Sequence, residues 1–390
     1  VLLNPSPDQV LFRETTASFL DKHATPDVLR GLRADQRGFS ADYWRRGAEL
    51  GWTSLLVGEA HGGGAIGTLP LVDLTLVAHE FGRHAAPGPL IPTNVVAALL
   101  SRCDGDHAVT IAGLVAGTAT AAWCLSEPAP HTGLGRWSLD VRLEGDEVVL
   151  NGVKRPVEAA PTADVLLVTG RTAGGLTNVI LPASTPGVSI TPMRTSDLSR
   201  RFGAVRFDDV RMPASCVVGS LGGADDDVWW ALQVALVIAA AESVGAMQSA
   251  FDMTVEWAFD RYSFGRPLAS YQALKHRFAD MKAWLEAGHA IADAAAFGVA
   301  TGAADAADLA SAAAAYVGER GADLAQDCVQ LHGGIGVTFE HDLHVYMRRI
   351  VVNRTAYGTP ADHRRRLADL AEAAERREAG SLDDLNGGAP

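Results

Sequence analysis

The chain has 390 residues, 48% of them hydrophobic and 20% charged, which allows two or three domains around a sizeable core. A formal net charge of -13 argues against general nucleic-acid binding and leaves room only for a local basic pocket that takes a phosphate. No apolar run reads as long enough to cross a membrane, residues 1–9 lack the regions of a signal peptide, and Cys103, Cys124, Cys216 and Cys328 are scattered without metal-ligand spacing. The expectation is a cytoplasmic protein with reduced thiols, no metal site and no membrane partner.

In chain order, Ser6-Pro-Asp-Gln9 reads as a capping box with proline at the first helical position, and Val10, Leu11, Phe19 and Leu20 continue it into a helix over 8–22. Further helical patterns cover 41–50, 70–85 and 93–102, separated by turns at Gly62-Gly-Gly64 and Pro87-Gly-Pro89. Near residue 120 the hydrophobic period changes. Strand-like runs follow at 137–143, 148–150, 165–169, 178–181 and 205–207, bounded by Gly, Asp, Asn and Pro. From 224 alanine-rich amphipathic patterns return and continue to 377. The expected division is a helical domain over 1–119, a small β-barrel over 120–222, a helical bundle over 223–378 and a loose tail over 379–390.

Two short segments carry the chemistry. In Arg261-Tyr-Ser-Phe-Gly-Arg-Pro267-Leu-Ala-Ser-Tyr-Gln272, Arg261 supplies a planar fork of donors for a phosphate and Phe264 a flat apolar face, while Gly265 and Pro267 break one helix from the next. In Gln330-Leu-His-Gly-Gly-Ile-Gly336 the glycines let backbone amides approach an anion. Taken singly, each also reads as an ordinary interhelical turn.

Together and in this order, the two segments resemble the signatures of the acyl-CoA dehydrogenases. Leu50-Gly-Trp52, Glu59-Ala-His-Gly-Gly63, Glu80-Phe-Gly-Arg83 and Phe207-Asp-Asp-Val-Arg-Met-Pro213 extend the resemblance over essentially the whole chain. It implies an α+β multidomain fold with an N-terminal α-helical domain, a middle β-barrel and a C-terminal four-helix bundle. It also implies an FAD whose pyrophosphate and adenine are held across a subunit interface in a tetramer. By the same resemblance Leu125, Ser126, Arg261, Phe264, Gln272, Gln330, Gly333, Gly334 and Thr359 are cofactor-binding residues. The implied reaction is α,β-dehydrogenation of an acyl-CoA, with electron-transferring flavoprotein as the partner that reoxidises the flavin.

The chain departs from that pattern at the flavin and at the base. Trp123-Cys-Leu-Ser-Glu-Pro128 matches the family, but residues 129–133 read Ala-Pro-His-Thr-Gly in place of a glycine-serine-aspartate stretch. Lys154 is followed by Arg155, Pro156, Val157 and Glu158 where Trp, Ile and a hydroxyl residue usually stand beside the flavin. Most relatives take their base from a Tyr-Glu-Gly-Thr motif. Here the stretch is Ala356-Tyr-Gly-Thr359, and the alternative position holds Ala235. Glu242, about two helical turns beyond Ala235 in an apolar helix, is the remaining candidate base, since burial raises a carboxylate toward neutral pH. Its alternative is a buried Glu bonded to a nearby Arg or Trp. Glu340 reads as structural, Arg364-Arg-Arg366 as a solvated face, and His276 and His332 as packed histidines.

These features resemble a bacterial subclass that includes steroid side-chain dehydrogenases built from two unlike subunits. The leading reading is dehydrogenation of an acyl-CoA, a bulky or steroid-derived one included, by this chain within a homo- or heteromeric tetramer. A non-catalytic partner subunit of such an assembly and a flavin monooxygenase or oxidase on the same scaffold are the alternatives.

Overall fold

The computed structural model describes residues 5–129 and 134–386. Part of the unusual 129–133 stretch, and the last four residues of the expected tail, lie outside the described residues. The first helix, α1 (Pro7–His23), starts as its sequence dictates: the Gln9 N–H donates to Ser6 Oγ (3.2 Å) and the Ser6 N–H to Gln9 Oε1 (2.9 Å). It is followed by α2 (Pro26–Leu32), α3 (Ala41–Glu49), α4 (Pro70–Arg83), α5 (Leu90–Arg102) and α6 (Ala108–Val115). Helices α4 and α5 are buried on nearly every side, so they lack a polar face and form the centre of this layer. Trp44, Trp52 and Phe81 pack edge to face at the heart of it.

The chain then forms β1 (Ala121–Cys124), β2 (Asp140–Glu144), β3 (Glu147–Glu158), β4 (Val165–Thr172), β5 (Gly175–Pro182), β6 (Val188–Met193), β7 (Phe202–Pro213) and the short β8 (Val217–Val218). The strands make one sheet in the order β6-β7-β3-β2-β4-β5-β8, with β1 beside β4 in parallel. Among the described residues the edge strands β6 and β8 do not pair with each other. Val148, Leu150, Leu166, Val168, Val179, Leu181, Val205 and Phe207 fill a core separate from the helical one. Pro156, which has no N–H to give, falls at the register shift between Lys154 and Val157 where β3 pairs with β7.

The C-terminal third is helical: α7 (Asp225–Asp260), a hairpin of β9 (Tyr262–Ser263) and β10 (Arg266–Pro267), α8 (Gln272–Thr301), α9 (Ala306–His332), α10 (Leu343–Ala356) and α11 (Pro360–Asn386). Helix α7 is long and apolar enough to cross a membrane, against the sequence expectation, but 89% of its apolar window is buried inside the protein as the core helix. It crosses α4 at two glycines. A Cβ on Gly82 would lie 1.8 Å from the Glu242 carbonyl, and one on Gly245 would lie 2.0 Å from the His79 carbonyl. This close approach presses the Glu242 turn of α7 against the N-terminal layer. Helix α11 runs to Asn386, past the point where a loose tail was expected, and α2, α6, β6 and β8 are short elements that the hydrophobic period did not mark.

Candidate functional site

The two signature segments stand at one end of the helical bundle. At the end of α7 the backbone of Arg261 turns extended, its N–H donating to the Trp257 carbonyl (2.9 Å). The β9–β10 turn then places Phe264 at φ +50° and Gly265 at φ +79°. Positive φ at both central residues is the pattern of a type I′ two-residue hairpin, a conformation that glycine adopts freely and a phenylalanine does not. Phe264 nevertheless occupies the strained position and is 96% exposed. Strain held in an exposed aromatic ring points to a function rather than to stability. Arg261 and Gln272 are also exposed at this edge, and Gln272 Nε2 lies 3.0 Å from His276 Nε2. Gln330 is exposed near the end of α9, where Gly333 adopts φ +67° and ψ -141°, a conformation essentially restricted to glycine. Open space surrounds the missing side chains of Gly333 and Gly334. A guanidinium fork, a flat ring and accessible turn amides fit the pyrophosphate and adenine of FAD. Arg261, Phe264, Gly333 and Gly334 are all exposed.

The expected flavin wall has a different character. The Trp123 indole N–H donates to Thr169 Oγ1 (2.9 Å), and its ring stacks on Tyr357 with centroids 6.3 Å apart. Leu125 is buried, and its carbonyl accepts from Lys154 Nζ (3.0 Å). The Ser126 carbonyl accepts from the Arg155 N–H (2.8 Å). Lys154 also pairs with Glu127 (2.6 Å), which accepts from the Ser138 N–H and hydroxyl and from the Leu139 N–H. Burial opposes charge on Glu127, but the Lys154 ammonium and these donors hold it below the usual carboxylate range. The motif therefore pins strand ends together, with the Trp123 and Glu127 side chains bonded to protein partners. Leu125 is buried and Ser126 half-buried, and they meet Lys154 and Arg155 through their backbone carbonyls.

Behind Tyr357 lies a buried ionic cluster. Arg349 Nη1 donates to Glu242 Oε1 (2.7 Å) and Nε to Asp197 Oδ2 (2.7 Å), with further bonds to the Ala85 and Ala86 carbonyls. Arg200 Nη1 donates to Glu242 Oε2 (2.9 Å) and to Asn353 Oδ1 (2.6 Å), and Nη2 pairs with Glu158. Asn353 Nδ2 adds a bond to Glu242 Oε2 (2.9 Å). Burial opposes the charge on Asp197, yet Arg349 and the Arg200 N–H hold it well below its ordinary range. Burial pushes the Glu158 carboxyl up in spite of Arg200.

Glu242 is therefore not placed as a base. Its side chain is 3% exposed, and both oxygens already accept from Arg349, Arg200 and Asn353. Of the two readings open in the sequence, the Glu bonded to Arg is the one found. Burial, with the Glu158 carboxyl beside it, pushes the Tyr357 phenol well above its ordinary value, so it does not replace the missing carboxylate. Ala235 is fully buried. Thr359, exposed at the start of α11, caps that helix: its hydroxyl donates to Asp362 Oδ2 (2.6 Å) and accepts from the Asp362 N–H (3.2 Å). Glu340 is exposed, and its carbonyl accepts from Arg30 (2.9 Å). Arg366 departs from the solvated face expected for its run, stacking 3.7 Å from the Trp229 ring centroid, with its pKa lowered by burial to about 10. Sequence reading missed Arg200 and Arg349, because each stands in an Arg-Arg pair that looks like exposed charge.

Comparison with known proteins agrees with this geometry. Residues 6–105 match the acyl-CoA dehydrogenase N-terminal domain and residues 228–371 the C-terminal domain, the two matches flanking the sheet. The chain is 32% identical over 367 residues to acyl-CoA dehydrogenase IpdE2 of Mycobacterium tuberculosis, covering 94% of this chain and 98% of the relative. Among solved structures, a variant of the Tcur3481-Tcur3483 steroid ACAD superposes with a TM-score of 0.86 at 26% identity, covering 94% of this chain and 98% of that one. The ChsE4-ChsE5 complex from Mycobacterium tuberculosis gives a TM-score of 0.84 at 25% identity, covering 95% and 99%. The chain belongs to the acyl-CoA dehydrogenase family of FAD-dependent oxidoreductases.

Proposed function

We propose that this chain is one subunit of an oligomeric enzyme that introduces an α,β double bond into a bulky, steroid-derived acyl-CoA thioester. It supplies the adenine and pyrophosphate side of an FAD whose ring lies in a neighbouring, related chain. The observation that carries this reading is the contrast between the exposed, strained Phe264 beside Arg261 and the expected flavin wall, where Trp123, Leu125 and Tyr357 are buried against protein groups. The names of the steroid ACAD and of the two-component ChsE4-ChsE5 complex support the substrate class and the heteromeric assembly.

FAD, when bound, accepts a hydride from the β-carbon of the substrate. The residues of this chain bind and orient: Arg261 bonds the pyrophosphate, the 333–337 turn offers backbone amides to it, and Phe264 covers the adenine. The base that removes the α-proton comes from the neighbouring chain, since Glu242 is locked in ion pairs and Tyr357 keeps its proton. Electron-transferring flavoprotein takes the electrons away.

The test is flavin content. Arg261→Ala should lower FAD retention in the purified assembly by about tenfold or more, on the order of one charge-assisted phosphate bond, while leaving the melting temperature unchanged. Full flavin occupancy in that variant, or a flavin-saturated monomer of this chain in sedimentation, would defeat the reading.

A further inference from the structure

Arg261 and the glycine turn belong to different helices, and a cluster of flat rings joins them. Trp257 lies one helical turn before Arg261, and the Arg261 guanidinium sits 6.0 Å from its ring centroid. On the other side the His332 ring stacks on the indole, with centroids 5.4 Å apart and planes inclined by 19°. His332 is the last residue of α9 and directly precedes Gly333. The His341 ring, from the link into α10, closes edge-on at 4.6 Å from His332 and 6.4 Å from Trp257. Three segments of the chain thus meet on three rings beneath the cofactor arm.

The orientation of both histidine rings is set. His332 Nδ1 is 2.8 Å from the Cys328 carbonyl, to which it donates, and burial lowers its pKa so that the ring is neutral. His341 Nδ1 accepts from the Leu343 N–H (3.2 Å). The turn folds back onto the end of α9, because a Cβ on Gly336 would lie 2.7 Å from the Val329 carbonyl and 2.8 Å from His332 Cβ. Among the described residues, His332 Nε2 and Trp257 Nε1 are both buried without a partner, an unfavourable arrangement that aliphatic packing at a helix end would avoid. Ring faces do what aliphatic groups do not: they hold a guanidinium plane and define an angle between helices.

We propose that Trp257, His332 and His341 form a positioning stack. It fixes the spacing between the Arg261 guanidinium and the amides of the 333–337 turn, so that both meet the FAD pyrophosphate at once. The proposal rests on the reading of the arm given above. In this role the three rings act through Arg261 and the turn.

The experiment uses the purified assembly, stripped of flavin and titrated with FAD, with affinity read from flavin fluorescence and folding from circular-dichroism melting. Trp257→Leu and His332→Asn should each raise the FAD dissociation constant about tenfold at an unchanged melting midpoint. His332→Asn keeps a donor for the Cys328 carbonyl but loses the ring. His332→Phe keeps the ring and should bind FAD within about threefold of the parent protein. Normal binding by Trp257→Leu and His332→Asn, with Arg261→Ala defective, would overturn the stack and leave the arm standing. Normal binding by Arg261→Ala would overturn the arm and the stack with it. If Trp257→Leu does not fold, the His332 pair decides: equal losses in Asn and Phe, or losses that track a fall in melting midpoint, overturn the proposal.

Discussion

The cofactor arm and the buried cluster behind Tyr357 use the same residue types to opposite ends. In the arm, among the described residues, Arg261 has no ionic partner and Phe264 no neighbour to pack on, so their interaction energy is left for a ligand. In the cluster, Arg200 and Arg349 direct most of their donors at Glu158, Glu242, Asp197 and Asn353, so little is left over. An arginine is a binding residue only when the fold leaves it unpaired. Substitutions in the cluster should therefore alter stability and spare the cofactor, and substitutions in the arm should do the reverse.

The largest effect is expected at Arg349. Arg349→Leu strands Glu242 and Asp197 without their shared guanidinium, and removing one member of a buried ion pair costs about 3–5 kcal/mol. Thermal or urea unfolding of the variant measures it. Glu242→Gln keeps most of the hydrogen bonds and should fold; in the assembly it should reduce flavin with substrate at the normal rate. A rate loss at normal flavin content would return Glu242 to the role of base and collapse the contrast.

His363, buried beside the Gly358 turn, gives the closed region a pH signature. Burial lowers its pKa to about 4, whereas in the unfolded chain it titrates near its ordinary value. Between about pH 6.5 and 4 the unfolded chain binds a proton that the folded one does not, so stability falls as pH falls, by up to about 3 kcal/mol. His363→Met should flatten that slope in unfolding titrations. An unchanged slope would mean that the ring titrates in the fold as it does in the unfolded chain.

Gly245→Ala tests the packing beneath the cluster. The added carbon meets the His79 carbonyl at 2.0 Å, so α4 and α7 must separate, at about 1–3 kcal/mol by analogy with overpacked cores. Flavin retention should be unaffected. A loss of flavin at normal stability would show that the arm depends on the helix crossing.

The two regions differ equally in how far the sequence exposes them. Arg261, Phe264, Gly333 and Gly334 lie in two short runs, and their roles follow from local conformation: a positive φ, a helix stop, an unpaired fork. The cluster joins residues 158, 197, 200, 242, 349 and 353, which only the folded chain brings together. The apolar run around Glu242 announces burial but not its partners, and burial alone suits a base and an ion pair equally well. Likewise the period marks α4 and α7, which are long, but not β6, whose burial alternates weakly and which carries Pro192. His332 shows the same limit, since its stacking partner Trp257 ends a different helix.

The smallest expected effect separates the regions most directly. Phe264 holds φ +50° with its ring in solvent, and a non-glycine residue in that conformation costs on the order of 1 kcal/mol or more. Phe264→Gly relieves this strain, partly offset by the greater freedom of glycine in the unfolded chain. The net change should be a gain of no more than about 1 kcal/mol, read as an equal or slightly raised melting temperature. FAD retention in the assembly should fall at the same time, because the flat face over the adenine is gone. A variant that binds FAD as well as the parent and melts higher would show the strain to be idle, and would remove Phe264 from the arm.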